Sequence, residues 1–312
     1  MSKVYITSAN TIIGTGWDAD QNCRKILPQQ YEPLLQSIPT RNMDRISKIA
    51  LASARSTLET RGITVSKDAP NNYGILFGTQ FSALDSIHSF DMDALKKGAL
   101  AVNPGLFPNT VLNAPACQTS IHCRFAGPVY TICSGPLSTL DALGTGYNFI
   151  RSGITSMVLA GGADEAEPLH CAMQNNRKEK GEAAGFLLLE SADTIHCGTP
   201  LAEIVGYTSS ALHQSQRADL LFALADMITA AVKSGGISAR DIACLSLYAW
   251  LPANESERLL ADLYTELKLN GTRETIKTDW MGAGGIIQAN KMIGSIHKAL
   301  WCLVNADEEK AA

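Results

Sequence analysis

The chain has 312 residues, of which 46% are hydrophobic and 18% are charged, and its formal net charge is −4. This composition excludes an intrinsically disordered protein, which would be rich in charge and poor in apolar residues. Because 26 Lys and Arg face 30 Asp and Glu, no positive surplus exists to neutralise a phosphate backbone, and we expect no nucleic-acid partner. The length suits one large domain, so we expect a single domain over residues 1–312.

The N-terminus and the cysteines predict a cytoplasmic protein. The first ten residues lack the charged start and apolar core of a secretory signal. No run of about 18 apolar residues is long enough to span a membrane. The eight cysteines form no CxxC pair, so we expect reduced and mostly buried thiols, without a disulfide framework or a metal site.

Short apolar or β-branched runs alternate with segments of helical periodicity. In chain order, the predicted elements are strand 4–7, helix 45–58, strands 73–77 and 129–132, helix 137–151, strands 157–160, 185–190 and 202–207, helix 220–233, strand 243–248, helix 255–267 and helix 286–304. Several strands are apolar on both faces, as in a sheet that is covered by helices on both sides. This alternation predicts an α/β fold with largely parallel sheets and two similar halves, about 1–165 and 185–312.

The segment from Gly127 to Glu165 carries most of the functional information. A strand leads into a tight Ser134-Gly135-Pro136 turn and a helix of small residues, and a second strand follows. The free N–H groups at a helix N-terminus favour an anion and lower the pKa of a thiol. This strand-to-helix elbow is therefore a place to look for a cysteine nucleophile, and Cys133 lies in it.

Most of the chain resembles the β-ketoacyl synthase group of the thiolase-fold condensing enzymes. Besides the elbow, the segments that carry the resemblance are RNMDR at 41–45, YGILFGT at 73–79, NPGLFPNTVLNAP at 103–115, GEAAGFLLLES at 181–191, AEIVGY at 202–207 and GAGG at 282–285. The resemblance implies a thiolase-like α/β fold, with two similar βαβαβ halves packed in α-β-α-β-α layers. The family continues into two more strands after the last long helix, so we expect a truncated C-terminal half.

The resemblance also locates the nucleophile position, and the residue there is a proline. Enzymes of this family transfer an acyl chain from an acyl carrier protein to a cysteine thiolate. Counting back seventeen residues from Gly153, as the family's spacing requires, gives Pro136, which can accept no acyl group. Cys133 falls three residues earlier, and we interpret it as a buried strand residue. The alternative is that Cys133 is a displaced nucleophile.

Neither of the two histidines that assist decarboxylation and condensation in the family has a counterpart. The stretch that corresponds to the first is LSLYAWLPANESE at 245–257, and it contains no histidine. Where the second would follow a Gly-His step, Lys277-Thr278 leads into Asp279-Trp280-Met281. We expect the six histidines of the chain to be surface or locally bonded residues.

A retained scaffold without its chemistry resembles the chain-length factor, the inactive partner of a ketosynthase in type II polyketide systems, and the shortened second half is closest to those of aryl-polyene-type pathways. The resemblance implies a heterodimer with an active ketosynthase through residues 103–132, contact with an acyl carrier protein through that complex, and no cofactor. The candidates for the floor of the acyl tunnel are Phe107, Thr110, Val111 and Ala114. The alternatives are an acyltransferase or condensing enzyme that uses Cys133, and a scaffold that only binds carrier protein.

Overall fold

The structure of the chain, a computed structural model, describes residues 2–19, 22–66, 71–166, 179–196, 198–210, 217–249, 251–275, 278–295 and 300–306. The strands are β1 (Val4–Ile13), β2 (Gly16–Asp18), β3 (Cys23–Lys25), β4 (Gly74–Gly78), β5 (Val129–Ile132), β6 (Met157–Asp164), β7 (Lys180–Gly181), β8 (Ala183–Ser191), β9 (Ala202–Ile204), β10 (Ile242–Ala249), β11 (Thr272–Thr275) and β12 (Leu300–Ala306). The helices are α1 (Pro28–Tyr31), α2 (Arg45–Glu59), α3 (Leu84–Lys97), α4 (Ala114–Cys123), α5 (Ser138–Arg151), α6 (Arg217–Ser234), α7 (Ala253–Glu266) and α8 (Gly284–Ser295).

The large sheet has six strands in the order β5–β4–β6–β8–β1–β9. Strands β5, β4 and β6 are parallel, whereas β8 is antiparallel to β6 and β1, and β1 is antiparallel to β9. Only the β5–β4–β6 part of the large sheet is thus parallel, and the prediction of largely parallel sheets is wrong for the rest of it. Every residue of β4, β6 and β8 is buried, and a strand covered on both faces has the same apolar sequence whatever its direction.

The elements stack in five layers, α-β-α-β-α, as the thiolase-like fold requires. Helices α2 and α4 cover one face of the large sheet, and α5 and α8 cover the other. Helix α8 also packs on the small sheet, whose order is β11–β10–β12, and α6 and α7 share a third apolar core on the far side of that sheet. The predicted fold class is confirmed.

Helix α2 shows how local sequence sets these layers. Asp44 caps its N-terminus by accepting a hydrogen bond from the backbone N–H of Ser47 at 3.1 Å. Ile46, Ile49 and Ala50 then form one face, and all three are buried against the large sheet. A cap residue followed by apolar positions three and four apart is the usual pattern of an amphipathic helix.

The last predicted helix, 286–304, is wrong in its second half. Helix α8 ends at Ser295, and residues Leu300–Ala306 form β12, which pairs in parallel with β10. A short run of apolar residues such as LWCLV fits a buried helix or a buried strand equally well. The hydrogen-bonding groups of the central strand β10 decide the outcome, because they need a partner on that side.

Candidate functional site

The candidate site lies at the carboxyl edge of the three parallel strands of the large sheet. Strands β4, β5 and β6 end at this edge, and Thr79, Cys133 and Asp164 stand at or just after their last residues. Two of these residues are in direct contact, since the Thr79 hydroxyl donates a hydrogen bond to Asp164 Oδ1 at 2.7 Å. Ligands of α/β proteins usually bind at this edge of the sheet.

The elbow between β5 and α5 places Pro136 in the interior. Gly135 has a φ of +60°, a conformation that favours glycine, and it turns the chain from the strand into the helix. Pro136 is buried in the single helical turn 135–137 that precedes α5. Proline suits this position because a helix leaves the first N–H groups unpaired. The Ser134 hydroxyl closes the elbow by donating to Asp141 Oδ2 at 2.6 Å.

Two segments from the second half of the chain pack against this elbow. The turn 281–283 contacts the turn 135–137, and the Thr139 hydroxyl donates to the carbonyl oxygen of Gly282 at 2.7 Å. From β10, the buried Tyr248 hydroxyl lies 3.2 Å from Asp279 Oδ1 and 3.2 Å from the carbonyl oxygen of Met281. Burial and the Asp279 carboxylate raise the pKa of Tyr248 well above its ordinary value, so this hydroxyl is a hydrogen-bond donor and not a base.

Asp164 is the buried ionisable group at the centre of this edge. Its carboxylate accepts hydrogen bonds from the Thr79 hydroxyl and from the backbone N–H groups of Gln80 and Phe81, at 2.7 to 3.1 Å. Burial raises the pKa of Asp164 to about 6, and these hydrogen bonds oppose the rise. Sequence reasoning missed this group, although an acid directly after the apolar run of β6 was a signal for it.

Comparison with known families identifies the fold's relatives. The family model described as "Beta-ketoacyl synthase, N-terminal domain" matches residues 16–178, which is more than half of the chain. The chain belongs to the β-ketoacyl synthase family. The 3-oxoacyl-[acyl-carrier-protein] synthase 2 of Vibrio cholerae is 23% identical over 293 residues, which cover 83% of this chain and 71% of that protein. The chloroplastic 3-oxoacyl-[acyl-carrier-protein] synthase I of Hordeum vulgare is 23% identical over 296 residues, which cover 82% of this chain and 64% of that protein.

Solved structures of the family share the fold of this chain. The ishigamide ketosynthase/chain length factor superimposes with a TM-score of 0.74 at 18% identity, over 93% of this chain and 90% of that one. A type II PKS acyl-carrier protein in complex with its ketosynthase bound to the hexaketide contains a chain that matches with a TM-score of 0.76 at 15% identity, over 94% of this chain and 90% of that one. At these identities the likeness concerns the fold.

Within this β-ketoacyl synthase fold, the expectation of a buried Cys133 is wrong. Cys133 follows the last residue of β5 and is exposed, whereas Cys23, Cys123 and Cys244 are buried as expected. Partial burial of the thiol group and the nearby Asp164 carboxylate raise the pKa of Cys133. These two effects on the pKa of Cys133 therefore outweigh the lowering that the N-terminus of the following helix would cause. An accessible thiol with a raised pKa is largely protonated at neutral pH and is a poor nucleophile.

The histidines that the structure describes lie on other elements. His88 is exposed on α3, and His122 is on α4, where burial and Arg55 lower its pKa. His196 is locally bonded, with Nδ1 at 2.5 Å from the buried Glu190 carboxylate and Nε2 at 3.0 Å from the Tyr73 hydroxyl. His170, His213 and His297 lie outside the described residues, as do Trp250 and Lys277 of the two family stretches.

The four tunnel candidates occupy different environments. Phe107 and Val111 are exposed, and Thr110 is half-buried, in the segment that leads into α4. Ala114 begins α4 and is buried, so it faces the interior of this chain and not its surface. Phe107 packs its ring against Phe90 of α3 at 6.0 Å between centroids.

Six exposed apolar side chains lie in the segment 103–132, which contains these candidates, and we call this group the apolar surface. It consists of Leu106, Phe107, Val111, Leu112, Ile121 and Tyr130. Tyr130 lies on β5, the outermost strand of the large sheet, whose outer backbone groups are unpaired within the described part of the chain. The surface thus combines apolar side chains with a free strand edge.

The described residues contain neither a metal site nor a membrane-spanning helix. No group of three or more His, Cys, Asp or Glu among them is arranged to hold a metal ion. No helix in the described part of the chain is both long and apolar enough to cross a membrane.

Proposed function

We propose that this chain is a non-catalytic chain-length factor, which pairs with an active β-ketoacyl-ACP synthase and helps to shape the acyl tunnel of a type II polyketide pathway of the aryl-polyene kind. In this role the chain needs no nucleophile of its own. Its contributions are a surface for the catalytic partner, side chains that limit the tunnel, and contact with an acyl carrier protein through the complex.

The observation that carries the proposal is the buried Pro136 at the nucleophile position. Its side chain has no group that can form a thioester, and the turn 281–283 covers it. The segments that hold the two histidines in active family members supply Tyr248, Asp279 and Met281 here, and these are bonded to one another. Acyl transfer and decarboxylation need a nucleophile and separate donors, and Pro136 supplies no nucleophile at its position.

The apolar surface supports the pairing. Large apolar side chains that are exposed in one region of a soluble protein often mark an interface. It lies within the 103–132 region that the resemblance assigns to the partner, and the edge strand β5 can add hydrogen bonds to a strand of another chain. In this arrangement Phe107, Thr110 and Val111 face the partner. Their side-chain volume would then limit the length of the acyl chain, because a closely packed tunnel has no room for even one additional methylene.

Co-expression tests this function. The chain is produced together with each ketosynthase encoded in its gene cluster, and the mixture is analysed by size-exclusion chromatography and native mass spectrometry. We expect a 1:1 complex, and in that complex Val111→Phe should shorten the product. A stable homodimer that ignores every ketosynthase of its gene cluster would contradict the proposal.

The enzyme alternative rests on Cys133, which is exposed and therefore reachable by an acyl donor. Its raised pKa argues against this role, since an activated cysteine has a lowered pKa. Incubation with an acyl carrier protein that bears a labelled acyl chain, followed by peptide mass spectrometry, decides between the two. A thioester on Cys133 that forms and turns over would favour the enzyme.

A further inference from the structure

A chain of hydrogen bonds links Asp164, at the buried carboxyl edge of the large sheet, to the apolar surface. The turn 79–82 follows β4, and four of its groups bond Asp164, namely the three described above and the Ser82 N–H at 3.4 Å. Ser82 ends the turn with a φ of +44°, which a non-glycine residue rarely adopts. Its N–H is held by Thr79 Oγ1 at 2.9 Å, and the Thr79 hydroxyl is in turn held by Asp164. The unusual backbone of Ser82 is therefore maintained from the Asp164 side.

The Ser82 side chain continues this connection to the surface. Its hydroxyl donates to the carbonyl oxygen of Leu112 at 2.8 Å. Leu112 is exposed, and it lies between Val111 and the start of α4. Another anchor of this segment is Asn109, whose side-chain N–H donates to the carbonyl oxygen of Asn42 at 2.9 Å. The backbone at 110–113 is thus attached to the sheet through Ser82.

We propose that Asp164 is a positioning residue for the apolar surface, because it fixes the turn 79–82 and that turn holds the Leu112 carbonyl. Its relevance for the ketosynthase partner rests on the proposed function, but the coupling itself is a property of this chain alone. A neutral Asp164 would accept the same N–H bonds more weakly than a carboxylate does. The segment 110–113 should therefore loosen when Asp164 is protonated.

Two ionisable groups that face Asp164 from other elements stay neutral near pH 6, where Asp164 itself titrates. The Cys133 thiol approaches from the end of β5 and the Tyr248 hydroxyl from β10, and both have raised pKa values and stay neutral there. Asp279 is turned to the Tyr248 hydroxyl. The turn itself contributes the Thr79 hydroxyl and backbone N–H groups, which do not titrate.

Hydrogen–deuterium exchange of the full chain, without a partner, tests the coupling. The reporters are the amides of Thr110 and Ala114, which bond the carbonyls of Phe107 and Val111 at 3.0 Å each. We expect Asp164→Asn and Ser82→Ala each to speed exchange at 110–114 by about fivefold or more. Only Asp164→Asn should also speed exchange at 80–82, since Ser82→Ala keeps the bonds to Asp164. Ser86→Ala is the matched control, because it removes the bond of a neighbouring serine to Asp44 and should leave 110–114 unchanged.

The pH profile separates positioning from a merely structural role. After correction for intrinsic exchange, lowering the pH from about 7.5 to about 5.5 should speed exchange at 110–114 in the wild-type chain and not in Asp164→Asn. If folded Ser82→Ala exchanges at 110–114 as the wild type does, the proposal is overturned, even where Asp164→Asn fails to fold. Intact coupling in a chain that binds no ketosynthase would contradict the proposed function alone.

Discussion

The carboxyl edge of the large sheet and the apolar surface differ in how their side chains are accommodated. At the edge, Asp164, Tyr248 and Asp279 are buried, and each finds its hydrogen-bond partners inside the chain. At the surface, six large apolar side chains remain exposed beside an unpaired strand edge. These three groups of the edge are therefore satisfied within the chain, whereas the surface leaves apolar side chains exposed to water. This difference matches the proposed function, in which the chain acts through a surface for its partner.

The largest expected effect comes from placing a charge in the apolar surface. Phe107→Glu should weaken the complex with the ketosynthase by about 100-fold or more, because a carboxylate would be desolvated where an aromatic ring was buried. The dissociation constant can be measured by biolayer interferometry on the purified subunits. The matched control is Phe222→Glu on α6, where Phe222 is 55% exposed against 59% for Phe107. Equal loss of binding in both variants would remove the distinction between the apolar surface and the rest of the molecule.

The next effect concerns the buried edge and its pH dependence. The folded-state pKa of Asp164, about 6, lies above its ordinary value of 3.8, so the folded state favours the protonated acid. Its contribution to the free energy of unfolding is thus full below about pH 3.8 and is lost as the pH rises through about 6, by up to about 3 kcal/mol. Urea denaturation at about pH 4 and about pH 8 should show most of this loss in the wild type and not in Asp164→Asn.

The control for this titration is Asp193→Asn, at an exposed position. An unchanged pH dependence in Asp164→Asn would mean that other groups carry it. The sign is diagnostic, since protonation should raise global stability while it loosens the segment 110–113. A salt-bridged aspartate would do the reverse, because its carboxylate stabilises the fold as an anion.

The sequence predicted the layers well where burial dictates residue type. Strand β5 was predicted with its observed bounds, and helices α2 and α5 were within one residue of theirs. Strand direction and the identity of β12 were not predictable, because a wholly buried strand such as β8 is apolar whatever its neighbours. Helix α3 was missed, and it contains no buried residue, so it lacks the apolar face that periodicity detects.

The site was predictable only in part, for a similar reason. Counting residues predicted Pro136 for the nucleophile position, and Pro136 lies in the turn directly before α5. The exposure of Cys133 and the burial of Asp164 depend on how strand ends meet across the sheet, which spacing along the chain does not contain. The link from Asp164 through Ser82 to Leu112 joins residues far apart in sequence and has no local signal.

A smaller effect is expected from filling the close contact at Gly282. A Cβ at this position would lie 2.5 Å from Asp164 Oδ2 and 2.6 Å from the backbone nitrogen of Gln80. Gly282→Ala should therefore lower the free energy of unfolding by about 2 kcal/mol, because backbone atoms must move to admit the methyl group. Urea denaturation measures it. Gly105→Ala is the control, since its Cβ would meet only the Asn103 side chain at 3.2 Å, and a comparable loss there would show that the packed edge is not special.

The smallest effect links the two regions through Cys133, which is exposed and lies beside Asp164. Because the Asp164 carboxylate raises the pKa of this thiol, Asp164→Asn should increase its thiolate fraction and speed its alkylation by iodoacetamide at about pH 7.5 by a few-fold. The wild-type rate should fall below that of a small free thiol, although Cys133 should still be labelled before the buried Cys23 and Cys123. Labelling order thus reports exposure, and only the rate reports activation. A wild-type rate well above that of the free thiol would restore Cys133 as a candidate nucleophile. The carboxyl edge would then contain a reactive group, and its contrast with the apolar surface would no longer hold.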